Sequence, residues 1–514
     1  MYALPIYLAK LNKQYIIISM QTKIKTSIIV NLIKTITLTL FSFLTFPWVC
    51  RILTDSQLGV YSWCVSFVYY FLILARISIP NIAVRECVRV KDDPNKLSMK
   101  VQEFFILQAI LTISSFILLA IITLTVPIFR SNSDYIPLIF ILSINFLSGV
   151  FSFEWVFEAL EKHIYLSIRS IIITAIIDIL IFVFVRYPSH IEIYASINVL
   201  LTVLTVASNL IYLPKLVKFK KTEKYNFKQY FPTLFTLFII SFLVAVYDKT
   251  DTFILGIIDP SKASVGSYAV GIKAIEIVIG VITALGTVFM PRAVKYYEND
   301  LVKYQNLNKY SANIGLIIVI PLIAIFTGLA KPITSLICGN YANNLYKDAD
   351  KVLIILCSLM VTYSLSHIIY TQILIPSKKE KYYMLAMGAG FILNIGFSLL
   401  FGLVLFRSSP AFGVALGTSL VDFIVLVFLI IFTHKYSIKM IFNINNLKIL
   451  IAGIAIGLLT YFVSPLLISA FNNLMPIQYN YLLVLIIMTL IDGIIYLLSL
   501  FIAKEKLIRS IVHK

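Results

Sequence analysis

Charge is what this chain has least of. Of its 514 residues only 13% are Asp, Glu, Lys or Arg, about half the share in a soluble domain, while 60% are hydrophobic. Acidic residues are the scarcer kind, 24 against 43 Lys and Arg. Cysteine is sparse as well. Cys50, Cys64, Cys87, Cys338 and Cys357 form an odd set with no Cys-x-x-Cys pair, which argues against a disulfide framework and against a thiolate metal site. No His-Glu-x-x-His or Gly-x-Ser-x-Gly stretch occurs, and the longest polar loops run to roughly 20 residues. That leaves little room for a catalytic apparatus at a membrane surface.

What is present is long apolar runs, each near the 20 or so residues that a helix needs to cross a bilayer core of about 30 Å. Fourteen candidate spans follow, at 27–49, 57–80, 103–125, 136–157, 164–185, 191–213, 231–257, 266–290, 311–330, 352–375, 382–405, 411–433, 449–468 and 480–502. The fourth and fifth are separated only by the charged link EALEKH, Glu158 to His163. The composition defines an all-α integral membrane protein.

An even number of spans puts both ends on one side. Lys and Arg concentrate at the two termini and in alternate loops, above all in KLVKFKKTEKYNFK, Lys215 to Lys228. Both termini are therefore expected in the cytoplasm. The same bias explains the net charge of +19. Topology and anionic headgroups account for it without nucleic acid. YIIIS, Tyr15 to Ser19, is too short for the apolar core of a cleavable signal, and Met20 offers a second start just before the first span.

Two blocks repeat. RILTDSQLGVYSWCVSF, Arg51 to Phe67, and GIIDPSKASVGSYAVGIKA, Gly256 to Ala274, each carry a short loop with an Asp, then Gly-x-Tyr-Ser or Gly-x-Tyr-Ala, then an apolar helix. PNIAVRE (80–86) and MPRAVKYYE (290–298) then end the second and eighth spans. Landmarks six spans apart point to two six-helix halves in the same orientation. The expected organisation is a cytoplasmic segment 1–26, one half over 27–213, a basic linker 214–230, a second half over 231–433, and a C-terminal helix pair with its tail over 434–514.

The same blocks carry a family resemblance. FPWVCRILTDSQLGVYSWCVSFVYYF with PNIAVRECVRVKDDPNKLS, and YDKTDTFILGIIDPSKASVGSYAVGIKAIEIVIGVITALGTVFMPRAV, resemble the two signature regions of polysaccharide flippases of the Wzx type, relatives of the MATE exporters and lipid II flippases. The likeness runs from Ser27 to about Asp422. It implies a bacterial inner-membrane protein that moves a polyprenyl-diphosphate-linked O-antigen or capsule repeat unit from the cytoplasmic to the outer face by alternating access. Implied partners are that glycolipid, membrane lipids, and the glycan polymerase and chain-length machinery. Many relatives have one more glycine within Leu53 to Gly59.

Ionisable groups inside spans are costly and face a bundle interior or a watery cavity. Here they are Lys34, Arg76, Asp178, Asp248, Lys249, Asp251, Lys273, Glu276, Asp422 and Asp492. A diphosphate cannot cross hydrocarbon bare. Lys34, Arg76, Lys249 and Lys273, with Arg51 at a span end, are therefore candidate substrate contacts, Lys249 being held by Asp248 and Asp251. Asp178, Asp248, Asp251, Glu276 and Asp422 are candidates for Na⁺ or H⁺ coupling or for charge balance. The plainer alternative is that these groups only neutralise one another and fix packing, which is the reading for Asp492. Lys34 and Arg76 lie near enough to an interface to snorkel. No catalytic residue, metal site or cofactor is expected. GSYAVGIK (266–273) resembles a phosphate loop only partly, because Ile272 displaces the Lys and no Ser or Thr follows. The competing function is a MATE-like Na⁺- or H⁺-coupled exporter of drugs or metabolites.

Overall fold

The computed structural model describes residues 30, 33–76, 79–219, 225–339, 345–505 and 507–509, and every regular element in it is helical. The expected segment 1–26 and the centre of the basic linker lie outside the described residues. Among the described residues thirteen helices are long and apolar enough to span a bilayer. They match thirteen of the fourteen runs read from the sequence. The seventh run falls on a 28-residue helix, Phe231–Ile258, about 42 Å long at 1.5 Å per residue.

The N-terminal helices are α1 (Ile33–Ile52), α2 (Asp55–Arg76), α3 (Ile79–Arg89), α4 (Pro94–Thr125), α5 (Tyr135–Ser143), α6 (Phe146–Phe151), α7 (Glu154–Ala159), α8 (His163–Phe184) and α9 (Ile191–Tyr212). α2 packs on α4 and α5, while α9 is shared by α5, α6 and α8. After Phe231–Ile258 (α10) come α11 (Ala263–Asn299), α12 (Leu301–Gly328), α13 (Ala330–Cys338), α14 (Ala349–Ile369), α15 (Glu380–Leu399), α16 (Pro410–Phe432) and α17 (His434–Ile441). Here α11 packs on α14, α10 on α15, and α16 on both α14 and α15. The last pair, α18 (Ile444–Asn472) and α19 (Ile477–Ile502), packs on itself and lies against α12 and α13. The N-terminal and C-terminal helices meet chiefly where α2 lies along α10 and α11.

Caps mark where helices leave apolar surroundings. Asp93 accepts from the amides of Asn95 and Lys96 at 3.0 and 3.1 Å ahead of Pro94, and Asp300 does the same for Val302 and Lys303 at 3.1 and 3.0 Å. Both stand on the side expected to face the cytoplasm. Outward faces stay apolar, with Ile211, Ile392 and Ile502 among the most exposed side chains. Such a surface suits lipid and would be a liability in water.

Sequence periodicity did not show the break in the fourth span. It is three short helices, α5 to α7, and Phe153 between the last two sits in the left-handed region at φ 47°. Phe153 is buried there, stacked on Phe105 at 5.5 Å. Polar side chains supply partners to the freed backbone, as hydrocarbon requires. Asn209 donates to the Ser152 carbonyl and accepts from Arg169 at 2.6 Å, and Arg169 also meets Glu154 at 2.6 Å. α14 and α15 each run on into a wider π-helical turn, Tyr370–Leu374 and Leu400–Leu405.

Candidate functional site

The intramembrane charges sort into two groups. The first lines a cavity of about 370 Å³ walled by α1, α2, α8, α9, α10 and α11, so that N-terminal and C-terminal helices both contribute. Lys249, Lys273, Glu276 and Asp178 reach it, with Asn198 and the hydroxyls of Ser42, Ser62, Thr174 and Thr252. Tyr61 and Tyr194 close one wall with ring centroids 4.7 Å apart. Lys273 and Glu276, one turn apart on α11, form an ion pair at 3.0 Å. Lys249 makes no ion pair among the described residues, and its ammonium lies 5.8 Å from the Tyr69 ring centre. One oxygen of Asp178 is buried without a hydrogen-bond partner among the described residues.

The second group lies among the C-terminal helices. Asp248 and Asp422 line a small cavity of about 40 Å³ with Tyr247, Tyr363, His367 and Tyr383. Tyr247 donates its hydroxyl to Asp422. One turn along α10, Asp251 accepts from Tyr268 at 2.8 Å and is flanked by Asn394 and Thr418. The other Asp251 oxygen, the Asn394 amide nitrogen and the His367 Nε2 are buried and meet no partner in hydrogen-bond geometry among the described residues. A carboxylate, an amide, and hydroxyls at this depth suit a small hard cation or a proton.

Among the described residues no ion pair joins Lys249 to Asp248 or Asp251, although its charge acts on both. Neighbouring residues on a helix diverge by about 100°. Lys249 therefore turns to the shared cavity, whereas Asp248 and Asp251 turn into the C-terminal helices. The remaining candidates stand elsewhere. Arg76 donates to Ser148 at 2.8 Å, Arg51 to the Leu336 carbonyl at 2.5 Å, and Lys34 is half-buried on α1; none of the three lines the shared cavity. Asp492 accepts from Thr460 at 2.7 Å within the terminal helix pair, as its packing reading anticipates.

Sequence reasoning passed over three polar groups. Arg169, six residues into α8, was a legible intramembrane cation. Glu103 is fully buried near the start of α4 and collects Lys100, the Tyr230 hydroxyl and the Asn226 amide at 3.0, 2.6 and 2.8 Å, tying the stretch before α10 to the N-terminal helices. Lys262, in the loop before α11, is only 3% exposed. In the loops around it, burial pushes Asp259 upward, but hydrogen bonds from Ser261 and Ser264 outweigh that and hold it below the ordinary value. Asp348 is likewise held low, where Lys351 and Ser409 outweigh burial.

The chain is a multi-helix bundle with a polar cavity shared by two groups of helices. Solved structures agree on the fold. The chain superposes on the lipid II flippase MurJ in an inward closed conformation with a TM-score of 0.65 at 17% identity, covering 94% of this chain and all of that one. An inward-facing multidrug resistance MATE family transporter of the MOP superfamily gives 0.58 at 15%, over 80% of this chain and 98% of that one. Sequence supplies the narrower assignment. The model of the polysaccharide biosynthesis protein family matches residues 24–297, and the chain belongs to that family. It is also 23% identical over 237 residues to the "Putative O-antigen transporter" of Escherichia coli (strain K12), a match spanning 45% of this chain and 55% of that relative. The chain is thus an all-helical, membrane-spanning member of the polysaccharide biosynthesis protein family with the fold of these solved structures.

Proposed function

We propose that the chain flips a polyprenyl-diphosphate-linked oligosaccharide repeat unit, an O-antigen or capsule precursor, from the cytoplasmic to the outer face of the inner membrane. The observation that carries this reading is the shared cavity, where Lys249 presents an ammonium that makes no ion pair among the described residues. A diphosphate supplies the missing counter-charge, and the hydroxyls, Asn198 and the Tyr61–Tyr194 pair offer hydrogen bonds and ring faces to a sugar. The lipid tail stays in the bilayer beside the bundle. Residues 27–213 and 231–433 act as two halves that rock about the headgroup, with both termini in the cytoplasm.

Asp251, Asn394 and Thr418, with Asp248 and Asp422 nearby, serve as the coupling site for Na⁺ or H⁺. Their place within the C-terminal half keeps the ion apart from the sugar, so loading acts through the shape of α10. Glu276 balances Lys273, and Asp178 supplies a second anion to the cavity wall.

The experiment is deletion of the gene in its host, with analysis of surface polysaccharide and of lipid-linked repeat units on each membrane face. Flipping predicts loss of the surface glycan with intact units trapped on the cytoplasmic face. Units that reach the outer face as usual contradict it. An unchanged glycan with altered drug tolerance favours an exporter of small molecules instead.

A further inference from the structure

The two repeated Gly-x-Tyr blocks do not merely mark helix starts; they touch. A Cβ built on Gly59 would lie 1.9 Å from the carbonyl oxygen of Lys262, and one on Gly266 would lie 2.0 Å from that of Asp55. Asp55 precedes Gly59 by four residues and Lys262 precedes Gly266 by four, so each helix offers its glycine to the same position in the other block. The contact between α2 and α11 is reciprocal, and no residue with a side chain fits at either glycine without separating the helices.

Other bonds join the same ends. Ser56 donates to the Ser261 carbonyl, Trp63 to that of Phe253 at 3.2 Å, and the Tyr346 hydroxyl to that of Leu53 at 2.9 Å. At the centre is Lys262. Its backbone is left-handed, at φ 62°. Its side chain runs inward, donating to the Gly256 carbonyl, with the ammonium 4.5 Å from the Trp63 ring centre and 5.5 Å from that of Tyr135. Both rings belong to the N-terminal helices, whereas Lys262 belongs to the loop before α11. An aromatic pocket is a favourable seat for a desolvated cation. A strained, buried lysine that crosses from one group of helices into the aromatic core of the other has no packing need to be lysine.

We propose that Lys262 is the bolt of an outer gate: its ammonium, seated between Trp63 and Tyr135, holds the reciprocal α2–α11 contact shut and leaves that seat each time the outer mouth opens. The proposal rests on the two-half alternating-access reading above. It makes Lys262 and Trp63 positioning residues that set which way the cavity faces without touching substrate.

The native cysteines report on it directly. All five are buried, Cys64 sits next to Trp63 in the sequence, and Cys87 lies on α3, toward the opposite end of α2. A membrane-impermeant maleimide is applied from outside to intact cells, and separately to inverted vesicles, for the wild-type chain and for Lys262→Gln, Lys262→Arg and Gly59→Ala. Labelling of Cys64 from outside should rise about thirtyfold in Lys262→Gln, the scale of one desolvated cation–π contact. It should rise similarly in Gly59→Ala and stay near the wild-type rate in Lys262→Arg, while Cys87 is unchanged throughout. Wild-type labelling rates in both Lys262→Gln and Gly59→Ala, with each protein present at normal level and monodisperse, would overturn the proposal. Enhanced labelling from the cytoplasmic side alone would overturn the gate's assignment to the outer face. The readout needs no glycan, so it stands or falls apart from the flipping assay.

Discussion

Lys249 and Lys273 are both cavity cations, but their surroundings differ. Lys273 is already balanced by Glu276 at 3.0 Å, whereas Lys249 lies by the Tyr69 ring and makes no ion pair among the described residues. A charge-assisted contact is worth about 1.5–3 kcal/mol, so Lys249→Ala should lower glycan export about tenfold or more at unchanged protein level. Lys273→Ala should cost less, because it leaves Glu276 to the cavity but removes no unpaired cation. Export assays on matched membranes read the ranking, and equal loss in both would show that the pairing does not matter. Arg169 is a structural counterpart. Replacing it with Met strips Asn209 and Glu154 of their partner at the break in the fourth span, at a cost of about 1–3 kcal/mol. A thermal midpoint in detergent that stayed at the wild-type value would remove it from that role. Outside the spans, Asp259 and Asp348 have folded-state values below the ordinary carboxylate range of about 4. Their contribution is therefore complete above that range and is lost as pH falls through the lower folded values. Unfolding midpoints of the purified protein should drop below about pH 4, and Asp259→Asn should flatten part of that drop.

At the level of elements, close helix crossings decide what a substitution does. A Cβ on Gly413 would meet the Phe401 carbonyl at 2.5 Å, where α16 crosses the π-helical turn Leu400–Leu405, whereas one on Gly396 meets nothing within 4 Å. Gly413→Ala should destabilise by about 1–3 kcal/mol and Gly396→Ala should be nearly neutral; thermal unfolding of the two side by side is the check. The long apolar runs were legible because a bilayer imposes a length and excludes charge, and those constraints are local. The break after Ser152 was not, because its carbonyl is served by Asn209, itself held by Arg169, residues 57 and 17 positions on, and no local pattern records that pairing. α13 and α17 hid for a similar reason: each is a short helix in what read as a polar loop. The intramembrane acids were easy to find and hard to assign. Helix spacing correctly set Lys249 about 100° from Asp248, but only packing showed which faces meet the shared cavity and which meet the interior of the C-terminal helices.

For the whole molecule, the repeat seen as two matching blocks becomes a physical contact, since Gly59 and Gly266 lie against each other's neighbouring turn. That contact closes one end of the bundle above the cavity that Lys249 lines, while Asp248, Asp251 and Asp422 pack among the C-terminal helices. On the proposed reading, this arrangement separates what binds substrate, what gates, and what couples an ion. The most direct measurement is of lipid-linked repeat units on the two faces of the inner membrane in a deletion strain supplied with either the wild-type chain or Lys249→Ala. The account predicts that the wild-type chain restores units to the outer face and that Lys249→Ala leaves most of them intact on the cytoplasmic face. Restoration by Lys249→Ala equal to the wild type, at equal protein level, would contradict it.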